Sequence, residues 1–142
     1  MKKLVFIVLV LTIVSIAFGG GYFLGLGDVG NAYGIAGGLT IDGFTLFGYM
    51  GHASVMAVLG TGIGAAADLT PFELYTGVFG NYNYSLLLGA GAGVSIGLYG
   101  TALHLGAGVT IKVLWGEHYF SKTTVGFGLG GFYYDSVLAY VF

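Results

Sequence analysis

Between residues 84 and 130 apolar side chains recur at every second position. Over residues 102–115 one parity reads Leu103, Leu105, Ala107, Val109, Ile111, Val113, Trp115. The other reads His104, Gly106, Gly108, Thr110, Lys112, Leu114. Residues 119–130 repeat the arrangement, with Val125, Phe127 and Leu129 opposite Lys122, Thr124, Gly126, Gly128 and Gly130. Residues 84–99 set Leu86, Leu88, Ala90, Ala92, Val94, Ile96 and Leu98 against Ser85, Gly89, Gly91, Gly93, Ser95 and Gly97. A period of two places each set on one face of a β-strand. One face is greasy and the other is small or polar.

Turn signals separate these runs at short intervals. They fall at Asp28-Val29-Gly30-Asn31, Asp42-Gly43, Asp68-Leu69-Thr70-Pro71, Gly80-Asn81-Tyr82-Asn83, Tyr99-Gly100-Thr101 and Gly116-Glu117-His118. Gly51-His52 and Gly130-Gly131 are weaker breaks. Asp42-Gly43 has the form of a hairpin dipeptide, because both residues tolerate positive φ. Connections this short predict antiparallel neighbours. The breaks define nine segments, and single-chain bacterial barrels have even strand numbers. Eight strands are expected, with ten as the alternative.

The last residues carry the same alternation. Phe132, Tyr134, Leu138, Tyr140 and Phe142 share one parity. This ending resembles the closing strand of small, eight-stranded bacterial outer-membrane β-barrels. In that family a C-terminal aromatic in an alternating strand is the signal for the insertion machinery. The resemblance implies that Leu138, Tyr140 and Phe142 form an assembly signal and that the machinery is a partner. The other end agrees in address. Lys2 and Lys3 precede an apolar run from Leu4 to Ala17, and Ala17-Phe18-Gly19 offers small residues at a cleavage site. That layout predicts a cleaved signal peptide over 1–19 and a barrel over 20–142. The expected fold is therefore all-β: a closed, antiparallel, up-and-down transmembrane barrel in the bacterial cell outer membrane.

Composition narrows the solvent and the partners. Charged residues make up 7% and apolar residues 56% of the chain, against about 25% charged in soluble domains. So few charges do not cover a soluble globule, which makes a lipid bilayer the expected partner. Twenty-nine glycines argue against many stable soluble helices. No arginine is present, and Lys112 and Lys122 are the only basic residues beyond the leader. Nucleic acid is excluded as a partner, since its phosphates need a basic face. The absence of cysteine excludes disulfides, thiolate metal sites and a lipid-anchored cysteine.

A helical inner-membrane protein is the competing reading. Residues 44–67 and 75–103 contain no Asp, Glu, Lys or Arg and are long enough for spans. Gly89, Gly91 and Gly93 resemble the glycine-rich helix of rotor-ring subunits, but the intramembrane carboxylate of that family has no counterpart on a second helix here.

Three sets of residues carry potential chemistry. His52 and Ser54, with Glu73 or Asp135 as an orienting acid, have the elements of a hydrolytic triad. They resemble the histidine, serine and acid of outer-membrane lipid-A deacylases over three residues only, and a loop histidine beside a loop serine is the simpler account. No enzyme activity is expected. His104, Lys112 and Lys122 lie on small-residue faces that point into a barrel lumen. Glu73 and Asp135 are their expected partners in an internal polar network. His52, His104 and His118 lack metal-ligand spacing, so neither a metal nor a cofactor is expected. The glycines at 126–131 lack the helix and acid of a dinucleotide loop.

Tyr22, Phe23, Tyr33, Phe44, Phe72, Tyr84, Trp115, Tyr119 and Tyr140 lie near strand ends, where barrels carry interfacial aromatic girdles. Inward glycines leave lumen space that Phe47, Tyr49, Tyr75, Phe79 and Tyr133 have the parity to fill. The expected function is a structural or envelope-anchor role with an aromatic-plugged lumen. A narrow channel for small or apolar molecules is the alternative, and a lipid-A hydrolase is the more distant one.

Overall fold

The computed structural model describes residues 3, 5–7, 9–10 and 20–142. The cleavage motif Ala17-Phe18-Gly19 lies outside the described residues. Eight strands follow in order: β1 (Gly21–Val29), β2 (Ala32–Leu46), β3 (Tyr49–Gly60), β4 (Gly62–Phe79), β5 (Tyr82–Gly97), β6 (Gly100–Trp115), β7 (Tyr119–Leu129) and β8 (Gly131–Val141). Each pairs antiparallel with the next. β8 returns to β1 from Phe23↔Val141 to Val29↔Asp135 and closes the ring. Residues 44–67 and 75–103 run through strands β2 to β6, in place of the helical spans of the competing reading. Among the described residues no helix is long and apolar enough to cross a membrane.

Among the described residues the strand count is eight, although three expected breaks lie inside strands. Asp42-Gly43 sits within β2, where the register shifts between Asp42 and Phe44 and Gly43 takes a φ of 77°. The dipeptide makes a bulge there, and a bulge needs the same positive φ as a hairpin turn. Gly51-His52 lies within β3. Asp68–Pro71 lies within β4, where the β3 ladder ends at His52↔Thr70 and a second register shift begins. Pro71 has no N–H to donate, and it stands where β3 no longer needs one. Two turns carry no turn signature in the sequence. Phe47 and Gly48 join β2 to β3 with φ of 52° and 84°, positive at both central positions. Thr61 alone joins β3 to β4. Its N–H donates to the Tyr33 carbonyl at 2.8 Å and its hydroxyl accepts the Tyr33 N–H at 3.0 Å.

Every strand presents one face to the outside, and the outward parity switches only at the register shifts in β2 and β4. Leu26, Leu59, Ile63, Ile96, Leu103, Ile111 and Phe127 are all more than half exposed. The lumen has an apolar side and a polar side. Phe23, Val29, Ala36, Met56, Val58, Phe120 and Val137 form the apolar side, with Phe23 edge-on to Phe120 at 5.3 Å. Phe23 is thus a lumen residue and not part of an outer girdle. Phe47, Tyr49, Tyr75 and Phe79 do not fill the lumen either, being between 51% and 84% exposed. Phe47 and Tyr49 belong to the β2–β3 tip. In β4, successive register shifts at Leu69/Phe72 and Glu73/Tyr75 turn Glu73 inward and return Tyr75 outward.

Of the expected fillers only Tyr133 is inside. Its ring occupies the space where a Cβ on Gly126 would stand, and its hydroxyl lies beside Gly91 and Gly108. The hydroxyl donates to the Gly106 carbonyl at 3.3 Å. One aromatic ring is therefore seated on several inward glycines, a local form of glycine rescue. Gly126→Ala is expected to destabilise the barrel by about 1–3 kcal/mol through overpacking. Urea unfolding of the refolded protein checks this, and Gly126→Ala should cost far less when added to Tyr133→Ala than when added to the wild-type chain.

Candidate functional site in the charged lumen

The polar side of the lumen runs from the end that holds Gly21 and Val141 towards the opposite mouth. At the near end, His52 Nδ1 is 2.7 Å from Asp42 Oδ1 and His52 Nε2 is 3.4 Å from Glu73 Oε2. Lys112 Nζ donates to Asp42 Oδ1 at 2.5 Å and lies 5.3 Å from the centre of the Phe120 ring. Residues of β2, β3, β4 and β6 meet here. The bulge at Gly43 allows β2 to continue past Asp42, and the register shift in β4 brings odd-numbered Glu73 to the same side as even-numbered Asp68 and Thr70.

One layer further in, Lys122 Nζ donates to Asp68 and, at 2.5 Å, to Ser54 Oγ. Lys112 and Lys122 are direct cross-strand neighbours on β6 and β7. Like charges opposite one another are unfavourable; each is offset by its own carboxylate on the far wall. Thr110 and Thr124, the next cross-strand pair, share a hydrogen bond of 2.8 Å. The space among these groups is about 10 Å³, on the order of one water molecule. Little free space remains among these ion-paired side chains.

Near the opposite mouth, His104 and Tyr133 stack with centroids 4.1 Å apart and planes 6° from parallel. His104 Nε2 is 3.1 Å from Asp135 Oδ2. The β1–β2 turn folds across this mouth. The Asn31 N–H donates to Ser95 Oγ on β5 at 3.0 Å, and a Cβ on Gly30 would touch both Ser95 and Ala102. A cavity of about 520 Å³ remains beside the turn, with His104 and Tyr133 in its lining.

The five expected network residues all lie inside the ring; the pair His104–Asp135 is among those expected, and the other pairings differ. Lys112 and Lys122 take Asp42 and Asp68, while Glu73 and Asp135 pair with His52 and His104. Asp42 and Asp68 sit in sequence contexts that read as turns, which hid them as lumen acids. Their even parity, shared with Thr40, Ala66 and Thr70, was the available signal. The three residues with the elements of a triad do not form one. His52 and Ser54 share a face, yet His52 engages two carboxylates and Ser54 engages Lys122 and Asp68. Both face the lumen, whereas a lipid-cleaving serine needs the outer face. Leu138, Tyr140 and Phe142 lie on the outside parity, with Tyr140 in edge contact with Tyr119 and Phe142 at 5.2 Å each. Asp28, also of outside parity, accepts hydrogen bonds from the Ser136 N–H at 3.1 Å and hydroxyl at 2.8 Å.

Lys122→Met leaves the Asp68 carboxylate buried without its ammonium. A loss of about 3–5 kcal/mol is expected, as for other broken buried pairs. The double substitution Lys122→Met with Asp68→Leu should recover much of it. Equilibrium unfolding of the three proteins in one detergent measures both effects.

Comparison with protein-family models, with curated proteins and with solved structures returns no match to this chain.

Proposed function

We propose that this chain is a small barrel of the bacterial outer membrane with a structural, envelope-anchoring role and a lumen closed to ions. The observation that carries the reading is the inside-out distribution of polarity. Leucine, isoleucine, valine and phenylalanine cover the outside of the ring, while both lysines of the barrel and four carboxylates face the inside. Water as the outer solvent would reverse that choice; hydrocarbon accounts for it. Aromatic rings cluster at the end holding the termini, in the contacts Tyr49–Phe72, Tyr75–Tyr84, Tyr82–Trp115 and Tyr119–Tyr140. Rings in this position suit a membrane–water interface.

The address rests on the leader over 1–19 and on the closing strand. In this reading Leu138, Tyr140 and Phe142 engage the insertion machinery, and residues 1–19 are removed on export. No reaction is catalysed, and His52, Ser54 and Glu73 serve the internal ion-pair network. The plug consists of charged pairs and Tyr133 more than of stacked aromatics.

The cavity at the far mouth favours a narrow passage as the second reading, and the little free space among the ion pairs below it opposes one. Planar-bilayer recording of the refolded protein in potassium chloride separates the two. A flat baseline is expected; stable unitary steps would end the closed-lumen proposal.

A further inference from the structure

Strand β4 outruns one of its neighbours. β3 pairs with β4 from Leu59↔Ile63 only as far as His52↔Thr70. On the other side β5 stays paired with β4 down to Phe79↔Tyr82. Past the end of the β3 ladder, Tyr49 at the start of β3 still packs edge-on against Phe72, with ring centres 5.5 Å apart. Residues 74–79 continue beyond that contact, with β5 on one side and no strand on the other. Among the described residues, the hydrogen bonds of this segment all go to β5. They include Thr76 Oγ1 to the Tyr84 carbonyl at 3.3 Å and Ser85 Oγ to Thr76 Oγ1 at 3.5 Å.

An edge of this kind has a definite chemistry. In an antiparallel ladder successive residues turn their N–H and C=O groups to opposite sides. Every second residue of 74–79 therefore presents a free donor and a free acceptor to the open side. The complement of such a row is an extended backbone. Natural edges are blunted by lysine, proline or inward charge, yet residues 74–84 contain no Asp, Glu, Lys, Arg or Pro. The register shift between Glu73 and Tyr75 lies at the base of the edge and does not interrupt it. Leu74, Tyr75, Val78 and Phe79 are between 53% and 76% exposed. Tyr75 and Phe79 lie on the outer face, across from Leu86 and Tyr82, and Thr76 and Val78 lie on the opposite one.

We propose that this edge takes up an extended, uncharged segment of a partner polypeptide as an added strand beside β4. Main-chain hydrogen bonds to the free groups hold the segment. Its apolar side chains, at alternate positions, meet Tyr75 and Phe79. The Tyr49–Phe72 contact stops the added strand, so it spans about six residues, or roughly 20 Å. A second copy of this chain does not fit the edge. Barrel strands tilt about 40° from the barrel axis. The β4 strands of two upright neighbours in one bilayer would cross at about twice that angle, which forms no ladder. That exclusion rests on the bilayer reading; the free edge does not.

The probe is the end-capped hexapeptide Val-Thr-Val-Thr-Val-Thr, added to the full chain refolded in detergent micelles, with its fully N-methylated form as the comparison. Amide hydrogen exchange read by NMR should first show alternate amides of 74–79 open and the others protected by β5. The peptide should then slow exchange of the open set by about tenfold or more, and the N-methylated form should leave it unchanged. Val78→Pro and Phe79→Pro stand at neighbouring positions, so one of them removes a donor from the free side and leaves the β5 ladder whole. That variant should keep a β-type circular dichroism spectrum and lose the peptide-induced protection. The N-methylated comparison keeps the test valid if the variant does not fold. Equal protection by both peptides, or no added protection from the unmodified one, would overturn the proposal. So would protection of both amide sets before any peptide is added, together with a dimer mass by light scattering, which is the result expected of a second copy on the edge.

Discussion

The pairing of β1 with β8 is the interaction on which the rest of the structure depends. It joins the first strand to the last, from Phe23↔Val141 to Val29↔Asp135. Without it the sheet has two free edges, each a row of unpaired N–H and C=O groups. In hydrocarbon each such group costs several kcal/mol, so an open form has no stable place there. Closure also fixes the inward parity of every strand at once. A one-residue slip at any ladder would send Lys112 or Asp135 to the outside and Leu103 or Phe127 to the inside.

Closure creates the second constraint, which is space. Eight strands enclose an interior just wide enough to be filled by side chains. Glycine, alanine, serine and threonine on the inward parity leave room for a few large groups. Those groups include Tyr133, His104, Phe23, Phe120, Met56, Leu87 and two lysines. The lysines come from adjacent strands β6 and β7, and their carboxylates come from β2 and β4 on the facing wall. The ion pairs therefore cross the lumen and tie together walls that share no backbone ladder. The Asn31–Ser95 bond does the same at the far mouth. This gives the charged interior a mechanical meaning: the cross-lumen pairs oppose flattening of the ring.

The alternating faces of β5, β6, β7 and β8 were legible in the sequence, because no bulge interrupts their parity. The inward direction of His104, Lys112 and Lys122 followed from that parity alone. Reading failed where the ladder shifts. Asp42-Gly43 and Asp68–Pro71 carry residues that make turns and bulges equally well, and only the neighbouring strand decides between them. The shifts in β4 turn Glu73 inward and return Tyr75 outward, while the turn-like contexts of Asp42 and Asp68 concealed the true partners of both lysines. The turns at Phe47-Gly48 and Thr61 have no signature to read; tight pairing of the flanking strands imposes them. Five conspicuous aromatics were expected to fill the lumen and one does, because aromatic residues at strand ends serve an exterior as readily as an interior.

The central claim is that the outer parity meets lipid and the inner parity does not. The chain has no cysteine, so single cysteines at Leu105, Val109, Thr110 and Ile111 can each carry a nitroxide without background. The direct measurement is the collision rate of each label with molecular oxygen in phospholipid vesicles. The account predicts high oxygen accessibility at Leu105, Val109 and Ile111 and low accessibility at Thr110. Uniform accessibility along β6, or accessibility recurring every three to four residues in a wider scan, would contradict it.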